Sequence, residues 1–308
     1  YMQEGYTWVV DMDLESFFDR VNHDILMARV ARKVRDKRVL KLIRKFLKSG
    51  VMVEGVIVTT EDGTPQGGPL SPLLANILLD ELDKELESRG HRFCRYADDC
   101  NIYVRTRRAG ERVLASIKNF LETRLKLKVN EAKSAVDRPW RRKFLGFSFY
   151  CGKDGVGIRI APQAIERVKQ RIREMTRRRF TIPTEVRTYL INSYLGGWLG
   201  YFALADAKGV LTELDQWLRH RLRACEWALW KRVRTRYREL RKLGIPEWRV
   251  HKLANARKGP WRMAHGPLNS VLTAAWFKSL GLISLVDKYH EIRQNWRTAG
   301  CGPARPVV

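Results

Sequence analysis

Residues 93–104 read FCRYADDCNIYV: two runs of β-forming side chains hinged on adjacent acids, Asp98 and Asp99. β-Branched and aromatic residues on both arms predict an antiparallel hairpin with the acids at its tip. Neighbouring carboxylates at a tight tip repel each other, and a divalent cation offsets that repulsion. Mg²⁺ takes a few carboxylates together with waters and substrate phosphates. Two such ions roughly 4 Å apart activate an attacking hydroxyl and stabilise a leaving pyrophosphate. A lone aspartate in a turn is usually a solvated turn former. The metal reading gains from a further acid set in another apolar strand. Residues 6–14, YTWVVDMDL, read as that strand. Alternation puts Trp8, Val10, Met12 and Leu14 on one face and Val9, Asp11 and Asp13 on the other.

Outward from these strands the pattern alternates between helix and sheet. Helical spacing runs from about Asp24 to Lys33 and from Asp36 to Leu47, and Val51–Thr60 reads as a strand pair. Glu61–Pro69 is a Gly- and Pro-rich loop. Ser71-Pro72 opens a helix with Ser at the cap, striped by Leu74, Ile77, Leu78, Leu82 and Leu86 and ended by Gly90. A helix over about 110–125 and a second hairpin, 144–150 with 156–160 around Lys153-Asp154-Gly155, follow. From Pro162 the pattern is helical. Ile165, Val168, Ile172 and Met175 form one core stripe; Leu211, Leu214, Leu218, Leu222, Cys225 and Leu229 form another.

The 308 residues carry a net charge of +26, from 59 Lys and Arg against 33 Asp and Glu. A 44% hydrophobic share excludes global disorder, and the length suits about two domains. Most of the excess charge, and nine of the ten tryptophans, lie beyond residue 139. Basic charge interleaved with aromatics suits a nucleic acid, with its phosphates and stackable bases. The arginines beside the first helical stripe are the candidate contact face. Five cysteines without a CxxC pair argue against a disulfide framework and for a reducing, cytoplasmic setting. Tyr1–Gly5 does not read as a basic-then-apolar signal pattern. The longest uncharged run, Thr188–Ala205, reads as a buried helix rather than a membrane span.

Tyr96-Ala97-Asp98-Asp99 resembles the YxDD box of reverse transcriptases, and Asp13-Leu14-Glu15-Ser16-Phe17-Phe18-Asp19 their first palm motif. Thr64 to Pro72, TPQGGPLSP, resembles the PQGxxxSP element of retroelement polymerases. Leu127–Ser134 (LKVNEAKS) and Phe144-Leu145-Gly146-Phe147 look like the motifs that follow. GWLGYF at 197–202 and LDQWLR at 214–219 resemble the maturase, or thumb, region of group II intron proteins. The resemblance implies an α+β fold: a palm with an antiparallel sheet and packed helices over 1–152, all-α thumb/maturase helices over 153–243, and a basic DNA-binding-like module with a loose tail over 244–308.

It also implies roles. Asp13, Asp98 and Asp99 would hold two Mg²⁺ ions, with Mn²⁺ as a substitute and the Leu14 carbonyl assisting. Asp11 shares Asp13's face and is the runner-up. Phe18 would lie beneath the incoming sugar and reject a 2′-hydroxyl; core packing is its competing reading. Gln66, Gly67 and Tyr96 would sit near the nascent pair. Lys133 would approach the leaving phosphates, and Leu145-Gly146 would border the primer terminus. Arg167, Lys169, Arg173, Arg177, Arg178, Arg219 and Arg223 would contact nucleic acid. The implied partners are an RNA template, intron RNA, a DNA primer or target and dNTPs.

Two departures from the family stand out. The chain starts almost at the first palm strand, which implies amino-terminal fingers that are truncated or supplied by a partner, a second copy included. No Cys/His-rich endonuclease module follows, as in bacterial class C proteins. The six histidines lack ligand spacing. Four readings compete: an RNA-directed DNA polymerase that binds its intron, a non-catalytic RNA-binding maturase, a two-metal nuclease, and a domesticated enzyme of repair or defence. The PQG loop and Phe18 favour nucleotide addition over hydrolysis.

Overall fold

A computed structural model describes residues 1–49, 51–53, 56–58, 62–65, 68–152, 155–177 and 182–298. Gln66, Gly67, Arg178, the Lys153-Asp154 hairpin tip and the tail from 299 lie outside the described residues. The chain divides into two compact units, Tyr1–Val156 and Gly157–Val308.

The first unit runs β1 (Trp8–Met12), α1 (His23–Ala31), α2 (Lys37–Lys48), β2 (Val51–Val53), β3 (Val56–Val58), α3 (Ser71–Ser88), β4 (Arg92–Tyr96), β5 (Asp99–Val104), α4 (Arg107–Phe120), β6 (Ala135–Asp137) and β7 (Phe147–Gly152). Strand β8 (Gly155–Ile160) pairs with β7 and contains the unit boundary, four residues beyond the end expected for the palm. The main sheet is antiparallel in the order β4-β5-β1-β6. β1 is central and apolar on both faces: Val9, Val10 and Met12 are all buried, so its alternation does not expose a polar side. Leu74, Leu78, Leu79, Leu82 and Leu86 of α3 bury the expected stripe in the same core. Sheets covered on one face by amphipathic helices are stabilised by that burial, about 25 cal/mol per Å² of apolar area.

Local chemistry sets the helix ends. The Asn22 side chain caps α1 by accepting from the Ile25 N–H at 3.0 Å, and Asp36 caps α2 through the Arg38 N–H at 2.7 Å. Ser71 does not cap α3 as expected. The helix begins at Ser71 itself, and its buried hydroxyl donates to the Pro65 carbonyl at 2.6 Å, bracing the preceding loop. Gly90 stops α3 with φ 67°.

The second unit is helical after β8: α5 (Pro162–Met175), α6 (Thr184–Phe202), α7 (Lys208–Leu229), α8 (Val233–Lys242), α9 (Glu247–Ala254), α10 (Pro260–His265), α11 (Ala274–Ser279) and α12 (Leu285–Thr298). α7 is its spine, with α10 and α12 packed along it, so the residues beyond 244 share one unit with the helices before them. Asp215 of α7 is buried and accepts the Leu285 N–H at 3.0 Å and the Ser284 hydroxyl at 3.3 Å, capping α12 from a distance of 70 residues in sequence. Within LDQWLR, then, the acid is a structural cap. The uncharged run is not a wholly buried helix. Ile191, Leu195 and Leu199 form a buried stripe on α6, while Tyr189, Leu190 and Tyr201 are exposed. Among the described residues no helix is long and apolar enough to cross a membrane.

Candidate active site

The register of β1 against β5 brings the acids together. Met12 pairs with Cys100 and Asp11 with Asn101, so one step further along the ladder Asp13 faces Asp99. Ala97 and Asp98 form the turn of the β4–β5 hairpin, and Asp99 is the first residue of β5. Like charges opposed across strands destabilise a sheet, and the acids feel it. The Asp99 carboxyl is held above its ordinary range, first by partial desolvation and then by the charges of Asp98, Asp11 and Asp13.

Main-chain bonds fix Asp13. Its N–H donates to the Ser134 hydroxyl at 3.0 Å, and its carbonyl accepts the Asn130 N–H at 2.8 Å. Lys133 lies in the same loop, with Nζ 3.4 Å from Asp13 Oδ2. Leu14 bridges to Val129.

The turn is clamped from below by Arg95. Its guanidinium donates to Asp83 of α3 at 2.7 Å, to Asn76 at 3.0 Å and to the Ala97 carbonyl at 2.8 Å. Only 11% of that side chain is exposed. Tyr96, in contrast, projects into solvent at 64% exposure. Arg142 performs a similar service for β1. Its Nε donates to Asp11 at 2.7 Å and its Nη2 to the Lys133 carbonyl at 2.6 Å, tying the strand to the lysine loop. Burial raises the Asp11 carboxyl above its ordinary range and Arg142 pulls it partly back. Asp11 is thus held by the half-buried Arg142 guanidinium, whereas Asp13 has the more exposed Lys133 ammonium beside it, and Asp98 and Asp99 complete the acids available to a ligand.

Backbone strain collects at these motifs. The described non-glycine residues with positive φ are Ser16 (47°), Ala97 (53°), Lys126 (56°) and Leu145 (52°). Three of the four stand in the first palm motif, the YADD turn and the FLGF turn. Such conformations cost about 1–3 kcal/mol each and persist where surroundings over-determine them. Leu145 and Gly146 (φ 79°) form a tight turn closed by Phe144–Phe147 hydrogen bonds of 2.9 Å in both directions. Phe18 is half-buried, its ring 5.3 Å from that of Phe17, and its carbonyl accepts the Thr64 N–H at 2.6 Å. A Cβ on Gly63 would lie 2.8 Å from that carbonyl, so only glycine fits beside Phe18.

Asp13, Asp98 and Asp99 are hard oxygen donors whose mutual repulsion a divalent cation would relieve, so the donor set fits such an ion. Among the described residues no three His, Cys, Asp or Glu side chains already converge as a ligand cluster. That suits an ion completed by waters and substrate phosphates rather than by an all-protein cage.

The candidate nucleic-acid residues of the helical unit separate into groups. Arg167 is exposed, and Lys169 and Arg219 are half-buried. Arg173 pairs with Glu166 and lies over the Trp217 ring at 5.7 Å, so its charge is shared within the unit. Arg177 is exposed but follows α5, which ends at Met175. Arg223 does not belong to the set. It is 7% exposed, donates to the Leu272 carbonyl at 2.8 Å and lies over Phe277, because it faces the packed side of α7.

Sequence reading missed Arg95, Arg142 and Ser134. Arg95 stands two residues before Ala97, which offered a signal. Arg142 lies in a basic run from Arg138 to Lys143 in which nothing local singles it out.

The hairpin acids, the strand acid opposite them and the helical unit that follows define a reverse-transcriptase palm with a maturase-type region. Comparison bears this out. Residues 2–149 match the model for reverse transcriptase (RNA-dependent DNA polymerase), and residues 165–244 match that for the group II intron maturase-specific domain. The chain belongs to the group II intron-encoded reverse transcriptase/maturase family. It is 32% identical over 163 residues to protein YkfC of Escherichia coli (strain K12), covering 42% of this chain and 43% of that one. It is 46% identical over 80 residues to the group II intron-encoded protein LtrA of Lactococcus lactis subsp. cremoris, covering 26% and 13%. The chain thus spans less than half the length of these relatives. Apo telomerase from Candida Tropicalis aligns at a TM-score of 0.45 and 12% identity, over 94% of this chain and 53% of that one.

Proposed function

We propose that this chain extends a DNA primer on an RNA template and binds intron RNA through its helical unit. The β1–β5 register, which ends at Met12 against Cys100 and so directs Asp13 toward Asp99, together with the charges of Asp98 and Asp13 felt by Asp99, supports the reading. The primer 3′-oxygen attacks the α-phosphorus of a dNTP, a new phosphodiester forms, and pyrophosphate leaves. Asp13, Asp98 and Asp99, with the Leu14 carbonyl, would hold two Mg²⁺ ions, or Mn²⁺ in their place. Bound there, divalent ions lower the hydroxyl's affinity for its proton and offset charge on the leaving pyrophosphate.

The protein's own groups do the rest. Lys133, held beside Asp13, supplies a cation and a proton to the departing phosphates. Phe18, seated on Phe17 and the Gly63-Thr64 backbone, presents a rigid edge to the sugar. The strained Leu145-Gly146 turn offers a narrow ledge for the primer terminus. Tyr96, exposed at the hairpin, would border the nascent pair, a role the family motif also gives to Gln66 and Gly67, which lie outside the described residues. Arg167, Lys169, Arg177 and Arg219 furnish phosphate contacts.

Primer extension on an RNA template, with Mg²⁺ present or chelated, tests the reading. Asp98→Asn is expected to abolish extension while RNA affinity changes less than twofold, because affinity resides in the basic surfaces. Near-normal extension by Asp98→Asn would remove these acids from the chemistry. RNA binding without any extension by the parent chain would favour the non-catalytic maturase.

A further inference from the structure

Helix α2 carries a row of lysines with no counter-charge. Lys37, Lys41, Lys45 and Lys48 are spaced 4, 4 and 3 residues apart, which sets them on one side of the helix. All four are exposed, and no acid pairs with any of them among the described residues. Leu40, Ile43, Phe46 and Leu47 anchor the opposite side in the core. Val39 and Leu42 are also exposed, Leu42 to 66%. Like charges at i,i+4 destabilise a helix.

Elsewhere in this unit signs are mostly interleaved: Lys84 with Asp80 on α3, Arg89 at its end with Glu85, and Arg107 with Glu111 on α4, where Arg108 and Arg112 make a single like-charged step. The lysine row of α2 is not interleaved. Arg44, which pairs with Asp24, and Arg38, which lies near Asp36, are the cations of α2 with an acid beside them. Residues 29–48 hold ten Lys and Arg against one acid, while residues 1–156 together hold 29 against 22. Without this stretch the unit would have more acids than bases, so its positive surface is concentrated here. A solvated face has no reason to segregate charge in this way; a face that meets a polyanion does.

We propose that the outer side of α2 is a docking surface for the phosphate backbone of an RNA strand. The identity of the polyanion as RNA rests on the reading of the chain as an RNA-dependent polymerase; the docking surface itself rests on the lysine row. Successive lysines stand about 6 Å apart along the axis, and the row extends roughly 16 Å. As a yardstick, that length equals about five steps of duplex DNA at its 3.4 Å axial rise per strand. The C-terminal end of the helix lies by the loop before α3, since a Cβ on Gly68 would meet the Phe46 ring at 3.0 Å. The row therefore leads a strand along the unit toward that loop.

The test uses the full chain with Lys37, Lys41, Lys45 and Lys48 all changed to Gln. Two half-row variants, K37Q/K41Q and K45Q/K48Q, guard against a folding failure. Fluorescence anisotropy with a labelled RNA oligonucleotide is measured from 50 to 400 mM KCl. Four lost phosphate contacts should flatten the slope of log K against log salt by about 2 to 3, and affinity near 100 mM should fall at least about tenfold. Each half-row variant should show about half the change in slope. Relief of repulsion should leave the melting temperature equal to or above that of the parent.

A charge-matched control, R107Q/R108Q/R112Q/R124Q, should flatten the slope clearly less. An unchanged slope in the lysine variants, or one no flatter than the control's, overturns the proposal. So does a loss confined to duplex DNA with RNA affinity intact. Binding needs no catalysis, so a chain inert in primer extension still tests this surface, and failure here leaves the polymerase reading standing.

Discussion

Replacing Arg142 with Gln removes a clamp that joins two parts of the candidate site. The guanidinium holds Asp11 through Nε at 2.7 Å and the Lys133 carbonyl through Nη2 at 2.6 Å. The Arg142 and Asp11 side chains are 28% and 21% exposed, so the pair lies nearer the buried than the surface limit. Breaking a buried pair costs about 3–5 kcal/mol and an exposed one about 0–1 kcal/mol. Three-quarters burial places Arg142→Gln at about 2–3 kcal/mol, most of it the cost of leaving Asp11 charged and desolvated. In a unit of this size that lowers Tm by roughly 5–10 °C.

Asp11→Asn removes the stranded charge, so the double variant should recover at least about 1 kcal/mol relative to the sum of the singles. Urea unfolding of the four chains at pH 7.5 measures this coupling. Primer extension gives a second readout, since releasing the Lys133 loop should lower kcat more than it raises KM for dNTP. If the two substitutions add to within about 0.5 kcal/mol, or Arg142→Gln costs less than that, the clamp is ordinary surface pairing and the reasoning fails.

Phe18→Ala should admit ribonucleotides, raising the rNTP-to-dNTP incorporation ratio at least about tenfold; an unchanged ratio would return Phe18 to core packing. Glu226, buried on α7 with no hydrogen-bond partner to Oε1 among the described residues, has its pKa pushed up to about 7 by burial, which Arg187 only partly opposes. A carboxyl whose folded pKa lies above its unfolded value of 4.5 binds its proton more tightly when folded. Stability should therefore decline as pH rises from about 4.5 to 7, by up to about 3 kcal/mol, and Glu226→Gln should abolish that decline in pH-dependent unfolding. On α4, Gly110→Ala would set a Cβ 2.5 Å from Val136 and 3.3 Å from Val104, so overpacking should cost about 1–3 kcal/mol by chemical denaturation. Parent-like stability there would show that β6 yields freely.

Short-range pattern announced much of this molecule. Runs of β-forming side chains marked β1 and β5, the 3–4 spacing of leucines marked α3 and α7, and adjacent acids between two β-runs marked the hairpin. Those signals are local, because strand and helix periods and turn chemistry are properties of neighbouring residues. The family motifs added the metal-holding roles proposed for Asp13, Asp98 and Asp99. Partnerships across the chain were not legible. Arg142 meets Asp11 across 131 positions, Ser134 meets Asp13 across 121, and Asp215 caps α12 across 70. Spacing carries no trace of such pairs, since only the folded sheet and the packed helices bring them within hydrogen-bond reach. The same holds for exposure. Arg223 and Arg167 read alike as basic residues on helices, yet packing buries the first against Leu272 and Phe277 and leaves the second in solvent. The sequence by itself determined which chemistry the chain carries and which elements bear it. Tertiary structure decided which charges are occupied and which remain free to meet a ligand, because charge pairing depends on distances that only the closed fold sets.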